Sequence, residues 1–246
     1  MRTALVTGGS RGIGRAIALR LSQEGWRLLI HYKAARDEAE AAAAACGGVA
    51  PPFGADLAEP EACERLWEWA IGQGPVNALV NNAGVYFPRG FLAEGAEAFE
   101  NWLNGQMSIN FVATARLSRS FAMEAIRTGA RPARILNVCS RVGFRGEAGA
   151  AAYAASKAAQ INLTRSLAVE LAKSGIEVFG IAPGWVETAM TREGMEARRK
   201  EIEDSIPLGR VATPEDCAHV AAFLLSDEAA YLSGVVIDVN GASYFH

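Results

Sequence analysis

Six short apolar runs separated by stretches with helical spacing constrain this chain more than any other feature. The runs lie at residues 4–6, 27–30, 78–80, 134–138, 177–181 and 235–239; Gly, Pro, Asn or Ser flank them, and most contain Val or Ile. Runs of that length and composition read as buried strands. Between them apolar residues recur four apart, as at Ile13, Ile17 and Leu21, with Arg15, Arg20 and Gln23 elsewhere on the helix. Strand, helix and strand in repetition require crossovers and therefore parallel pairing. The expected fold is α/β, a doubly wound parallel sheet with helices on both faces. The Ala-rich stretch 37–45 reads as a surface helix close to the sheet. With neither repeat nor Pro/Ser-rich linker, residues 1–246 form one domain, and 50% hydrophobic residues supply its core.

Charge and cysteine usage exclude several classes. Lys plus Arg number 24 against 27 Asp plus Glu, a net charge of −3, which gives no electrostatic case for nucleic acid or a membrane surface. No strongly apolar run reaches the ~18 residues of a membrane-crossing helix. The N-terminus meets a glycine cluster before a signal-peptide core could form, so the expectation is a cytoplasmic protein with reduced thiols. Cys46, Cys63, Cys139 and Cys217 form no CxxC pair and the three histidines are scattered, so no metal site is expected.

The first strand runs into Thr7-Gly8-Gly9-Ser10-Arg11-Gly12-Ile13-Gly14, which opens the first helix. Glycines there admit φ > 0 and let backbone N–H groups approach a pyrophosphate at the positive helix end. A P-loop is excluded because Arg15 and Ala16 occupy its Lys and Ser/Thr positions. The other reading of this motif is a tight turn without a ligand. After the second strand comes His31-Tyr32-Lys33-Ala34, with no acid before Asp37. A carboxylate there would accept from a ribose 2′-hydroxyl and repel a 2′-phosphate. Lys33 and Arg11 would instead pair with that phosphate, which points to NADP(H); the alternative is two solvated cations.

The strand ending at Val138 leads into Cys139-Ser140, and Tyr153 and Lys157 follow at i and i+4 of an Ala-rich helix. A phenol titrates near 10, too high for a base at neutrality; an ammonium one turn away favours the phenolate. Ser140, at a strand's carboxyl end, would hydrogen-bond a substrate carbonyl and orient it for proton transfer from Tyr153.

These segments, with Asp56-Leu57, Asn81-Asn82-Ala83-Gly84, Asn110 and Pro183-Gly184-Trp185-Val186-Glu187-Thr188, resemble the short-chain dehydrogenases/reductases over essentially the full length. The resemblance implies a Rossmann fold with seven parallel strands, hydride transfer at a nicotinamide, and a homotetramer. It makes Tyr153 the acid/base, with Lys157 lowering its pKa and binding the nicotinamide ribose. Ser140 polarises the carbonyl, and Asn110 supports a proton relay through water. The cofactor set it implies is Gly8, Ser10, Arg11, Gly12, Ile13, Gly14, Tyr32, Lys33, Asp56 and Leu57 towards the adenosine and diphosphate. Asn82, Ala83 and Gly84 would lie beside the adenosine ribose, and Pro183, Gly184, Val186 and Thr188 near the nicotinamide. Within the family, Ile206-Pro207-Leu208-Gly209-Arg210, Pro214-Glu215-Asp216 and Val239-Asn240-Gly241 are similar to the 3-oxoacyl-[acyl-carrier-protein] reductases. Arg131 and Lys173 are candidates for docking an acidic carrier protein, or ordinary surface charge. A sugar, steroid or other secondary alcohol is the alternative substrate class, and a non-catalytic dinucleotide-binding regulator the alternative outside enzymes.

The remaining conspicuous residues carry quieter expectations. Cys139 reads as a small buried residue without an activated thiol. Trp67 and Trp69 read as packing or surface residues, and Trp185 as packing or a substrate contact. Residues 85–105 lie where the substrate mouth is shaped. The charged run 193–204 reads as a solvated helical face or a lid, and Tyr244-Phe245-His246 as a buried subunit contact.

Overall fold

In the computed structural model the described residues are 1–92 and 95–246; Ala93, Glu94 and the side chain of Glu193 lie outside them. Seven strands, β1 (Thr3–Val6), β2 (Arg27–Tyr32), β3 (Phe53–Gly54), β4 (Ala78–Asn81), β5 (Arg134–Val138), β6 (Glu177–Pro183) and β7 (Val236–Val239), make one sheet. All pairs are parallel, in the order β3-β2-β1-β4-β5-β6-β7. Six strands occupy the apolar runs. The seventh, β3, has only two residues, too few for an apolar run to show in the sequence.

Among the described residues nine α-helices connect these strands: α1 (Gly12–Gln23), α2 (Arg36–Ala45), α3 (Pro60–Gly72), α4 (Ala96–Met107), α5 (Thr114–Thr128), α6 (Ala151–Leu171), α7 (Arg192–Glu196), α8 (Arg199–Asp204) and α9 (Pro214–Leu224). Alternation along each strand divides the core in two. Ala4 and Val6 of β1 face one layer, where Ile17 and Leu21 of α1, Ala39 and Ala43 of α2 and Ala221 of α9 pack. Leu5 faces the opposite layer, with Leu66 and Trp67 of α3, Leu117 and Phe121 of α5 and Ala168 of α6. Small residues on α2 let it approach the sheet, and Ala39, Ala42 and Ala43 are buried. A π-turn, Ser108–Ala113, joins α4 to α5 and carries Asn110. Among the described residues no helix is long and apolar enough to cross a membrane, and no group of three potential metal ligands occurs.

Chain order and sheet order diverge on either side of β1, where β2 and β3 lie to one side and β4 to the other. A crevice opens at the carboxyl ends of strands at such a switch point. There Thr7 clasps β1 to β4. Its amide and hydroxyl both donate to Val80 O, and the hydroxyl oxygen accepts from the amides of Asn82 and Ala83, each at 3.0 Å. The Asn82 amide group returns bonds to the carbonyls of Thr7 and Gly8. Phe121, fully buried and edge-on to Trp67 at 5.9 Å, fills the layer beneath. Phe121→Ala should therefore cost about 3–5 kcal/mol in urea unfolding; a cost under about 1 kcal/mol would contradict this packing.

Candidate active site

The glycine loop sits at the crevice. Gly8 has φ +62°, and a Cβ there would meet Ala83 Cα and Asn82 Nδ2 at 3.1 Å. At Gly14 a Cβ would fall 2.3 Å from Asn82 Nδ2 and 2.4 Å from Gly8 O, so only glycine permits the clasp and the helix start together. Arg11 precedes α1 in extended backbone and no side chain caps the helix. The first amides of α1 are thus available, with the positive helix end, to an anion in the crevice.

A cavity of about 780 Å³ extends from this loop across the carboxyl ends of the sheet, a size in the range of cofactor and ligand pockets. Gly8, Ser10, Arg11, Gly12 and Ile13 form its floor, and Lys33, Asp56 and Leu57 one end. Asn82, Ala83 and Gly84 line its middle, with Ser140, Tyr153, Lys157, Pro183, Gly184, Val186 and Thr188 at the other end. Three expected residues do not reach it. Tyr32 lies instead against Gly54, where a Cβ would be 2.9 Å from its ring, and ties β2 to β3. Gly14 is spent on the close contact with Asn82. Asn110 is fully buried: its Oδ1 accepts from Val85 N at 2.8 Å, and its Nδ2 donates to Val85 O and Ser156 Oγ. It braces the cavity wall, as do Gln106, which accepts from Phe87 N, and Trp102, whose indole donates to Phe87 O.

At the first of these ends Lys33 Nζ lies 2.6 Å from Asp56 Oδ2, so the two residues are paired with each other. Both are partly exposed and the pair is cheap to open. Glu38 lines the same corner, an acid that the spacing from the second strand did not expose. His31 is the more important omission. It is buried, accepts from Gly8 N at Nδ1 (3.2 Å), and places Nε2 3.1 Å from Ala55 O. A neutral ring protonated at Nε2 satisfies both bonds. Burial lowers its pKa to about 4.

At the opposite end Ser140 and Tyr153 line the cavity together, and the Ser140 hydroxyl accepts from Val142 N at 3.4 Å. The Tyr86 ring packs on Tyr153 at 4.9 Å. Burial pushes Tyr153 up to about 12, against the lowering effect of Ser140. Lys157 is pushed down to about 8, also by burial. Burial thus outweighs the lowering effect of a nearby ammonium. Lys157 Nζ sits 5.8 Å from the Tyr153 ring centre and donates to Val138 O (2.8 Å) and Gln160 Oε1 (3.0 Å), both neutral acceptors. Buried Cys139 rises to about 11 and stays a thiol.

Comparison with known proteins settles the family. Residues 8–242 match the family model described as enoyl-(acyl carrier protein) reductase. The chain belongs to the short-chain dehydrogenase/reductase family. It is 34% identical over 99% of both chains to a 3-oxoacyl-[acyl-carrier-protein] reductase of Staphylococcus epidermidis. Identity to the Escherichia coli K12 protein of that name is 37%, over 99% of this chain and 97% of that one. Among solved structures it superposes on a Beutenbergia cavernae protein, provisionally named an NAD(P)-dependent gluconate 5-dehydrogenase, with NADP bound at low occupancy. The TM-score is 0.89 and the identity 37%, over 98% and 96% of the two chains. A Serratia marcescens short-chain dehydrogenase/reductase double mutant gives 0.87 and 32%, over 98% and 97%.

Seen as a short-chain dehydrogenase/reductase, the chain departs from expectation at one surface. Arg131 precedes β5 and Lys173 precedes β6, at the amino ends of the strands and opposite the cavity. The length of β5 alone separates them from Ser140 by about 17 Å, and Arg131 donates to Ala125 O, Ala130 O and Ser174 O. They do not form a docking surface at the mouth. The tail packs on its own chain: Tyr244 donates to Phe144 O and His246 stacks on the Phe144 ring at 3.7 Å, leaving Phe245 exposed. Trp67 is buried, and Trp185 packs beside a small cluster of Met195, Ile202, Ile206 and Val211 that holds α7 and α8.

The low pKa of His31 has a stability consequence. Between 6.5 and about 4 the unfolded chain binds a proton there that the folded chain excludes. Its contribution is complete above 6.5 and is lost as pH falls towards 4, by on the order of 3 kcal/mol. His31→Gln should flatten the stability–pH curve across that window in urea titrations; an unchanged slope would contradict the assignment.

Proposed function

We infer that this chain is an NADP(H)-dependent ketoreductase that reduces a 3-oxoacyl thioester, linked to acyl carrier protein or CoA, to the 3-hydroxyacyl product. The observation that carries the reading is the gathering of Ser140, Tyr153 and Lys157 at one end of a cavity whose floor is the uncapped start of α1. The relatives' names support the substrate, and the NADP in the Beutenbergia cavernae structure supports the cofactor.

The residues fit the dinucleotide. The amides of Gly12 and Ile13 would hold the diphosphate. Lys33 and Arg11 would take the 2′-phosphate, with Lys33 exchanging Asp56 for it. Gly84 leaves room near the ribose, since a Cβ there would be 3.1 Å from Asn110 Oδ1 and 3.8 Å from Lys157 Nζ. A bound nicotinamide supplies hydride to the carbonyl carbon. The chain's own task is the oxygen. Ser140 donates a hydrogen bond to it, and Tyr153 delivers the proton as negative charge develops. A phenol held near 12 stays protonated at neutral pH and is ready as an acid. The third Lys157 N–H remains for the ribose.

Phe87, Ile109 and Met190 give the cavity an apolar wall suited to an acyl chain. Exposed Met123, Ile126 and Phe245 offer apolar surface for the homotetramer that the family resemblance implies. A second reading, a small polar ketone or its alcohol, draws on a side cavity beside Ser140 and Tyr153 lined by Arg141, Glu147 and Trp185. The neighbour's provisional gluconate name points the same way.

The test is reduced-nicotinamide oxidation with acetoacetyl-CoA, using NADPH and NADH in turn. Turnover favouring NADPH is expected, and Lys33→Ala should raise the KM for NADPH about tenfold while leaving NADH nearly unchanged. A preference for NADH would overturn the 2′-phosphate argument. Turnover confined to polyols would select the second reading.

A further inference from the structure

Gln160 lies one turn beyond Lys157 on α6, is fully buried, and does not line the cavity. Its Oε1 accepts from Lys157 Nζ at 3.0 Å, and its Nε2 donates to Thr114 Oγ1 at 3.2 Å. Thr114 Oγ1 in turn donates to Asn110 O in the π-turn, also at 3.2 Å. The direction of this chain is unambiguous. A threonine hydroxyl has one hydrogen, which Asn110 O receives, so its oxygen must accept from the amide. That fixes the amide with its oxygen towards lysine.

We propose that Gln160 is a positioning residue that aims the Lys157 ammonium, itself held through Thr114 by the π-turn at Asn110. The proposal rests on the ketoreductase reading for its catalytic consequence. Lys157 has three N–H donors; Val138 O and Gln160 Oε1 take two, which leaves one directed by elimination towards the space beside Gly84. An amide and a hydroxyl so bonded hold the ammonium without adding charge. The ammonium, 5.8 Å from the Tyr153 ring centre, is therefore not offset by an acid bonded to it, and the phenol otherwise has Ser140, the Tyr86 ring, the Cys139 thiol and Glu147 around it. Apolar or charged replacements at this position should separate the two effects, aim and charge.

Two variants test this. Gln160→Leu removes the acceptor: kcat should fall about tenfold with KM for acetoacetyl-CoA within about twofold, and NADPH should bind more weakly. Gln160→Glu keeps an acceptor and adds a negative charge 3 Å from the ammonium. NADPH binding should be retained, and the alkaline limb of the kcat profile should move up by about one pH unit, because the neutralised lysine favours the phenolate less. Ultraviolet titration of tyrosinate in the cofactor-free variants, against a Tyr153→Phe background, should show the same upward shift for Tyr153. Melting temperatures report any purely structural loss. Wild-type NADPH affinity in Gln160→Leu, together with a wild-type pH profile and tyrosinate titration in Gln160→Glu, would overturn the proposal. If wild type fails to reduce acetoacetyl-CoA, the ketoreductase reading falls, while the tyrosinate titration and NADPH affinity still decide the role of Gln160.

Discussion

Thr7 and Asn82 hold this structure open at the place where it works. The sheet changes direction at β1, and without a tie the carboxyl ends of β1 and β4 would present unpaired backbone groups to the crevice. Thr7 Oγ1 alone engages Val80 O and the amides of Asn82 and Ala83. Asn82 returns two bonds to the glycine loop, and Gly14 must lack a side chain for it to do so. His31 anchors the same loop from β2 through Gly8. The floor of the cavity is thus pinned from three strands, so a ligand meets amides already aimed at it rather than a loop it must order.

The opposite end is built on a different principle. Burial dominates there, raising Tyr153 and lowering Lys157, so both groups lean towards their neutral forms. Polar contacts decide how much of that tendency survives: Ser140 pulls the phenol down, while neutral oxygens hold the ammonium. The π-turn at residues 108–113 is what brings Asn110 to Val85 and Thr114 to Gln160 at once. One local irregularity therefore supports both the cavity wall and the lysine.

Much of this was legible in the residues. Buried parallel strands are long enough to show as apolar runs, and Ile13, Ile17 and Leu21 reveal the face of α1 that meets the sheet. The glycine loop and the Ser140, Tyr153 and Lys157 set are carried by residue chemistry at fixed spacing, and residues of both line the cavity. What escaped depends on partners distant in sequence. A two-residue β3 has no pattern of its own, and His31 matters only because Gly8 and Ala55 flank it in space. Arg131 and Lys173 read as docking cations until the strand polarity placed them at the far edge of the sheet. The packing of Tyr32 against Gly54 and of Asn110 against Val85 also joins residues far apart in sequence.

The central claim is that Tyr153 delivers the proton at a cavity that binds cofactor independently of it. Single-turnover NADPH oxidation with acetoacetyl-CoA, measured with NADPH affinity for wild type and Tyr153→Phe, tests it most directly. The account predicts a loss of about 10²–10⁴-fold in the oxidation rate with affinity within about twofold. Oxidation at the wild-type rate in the phenylalanine variant would contradict it.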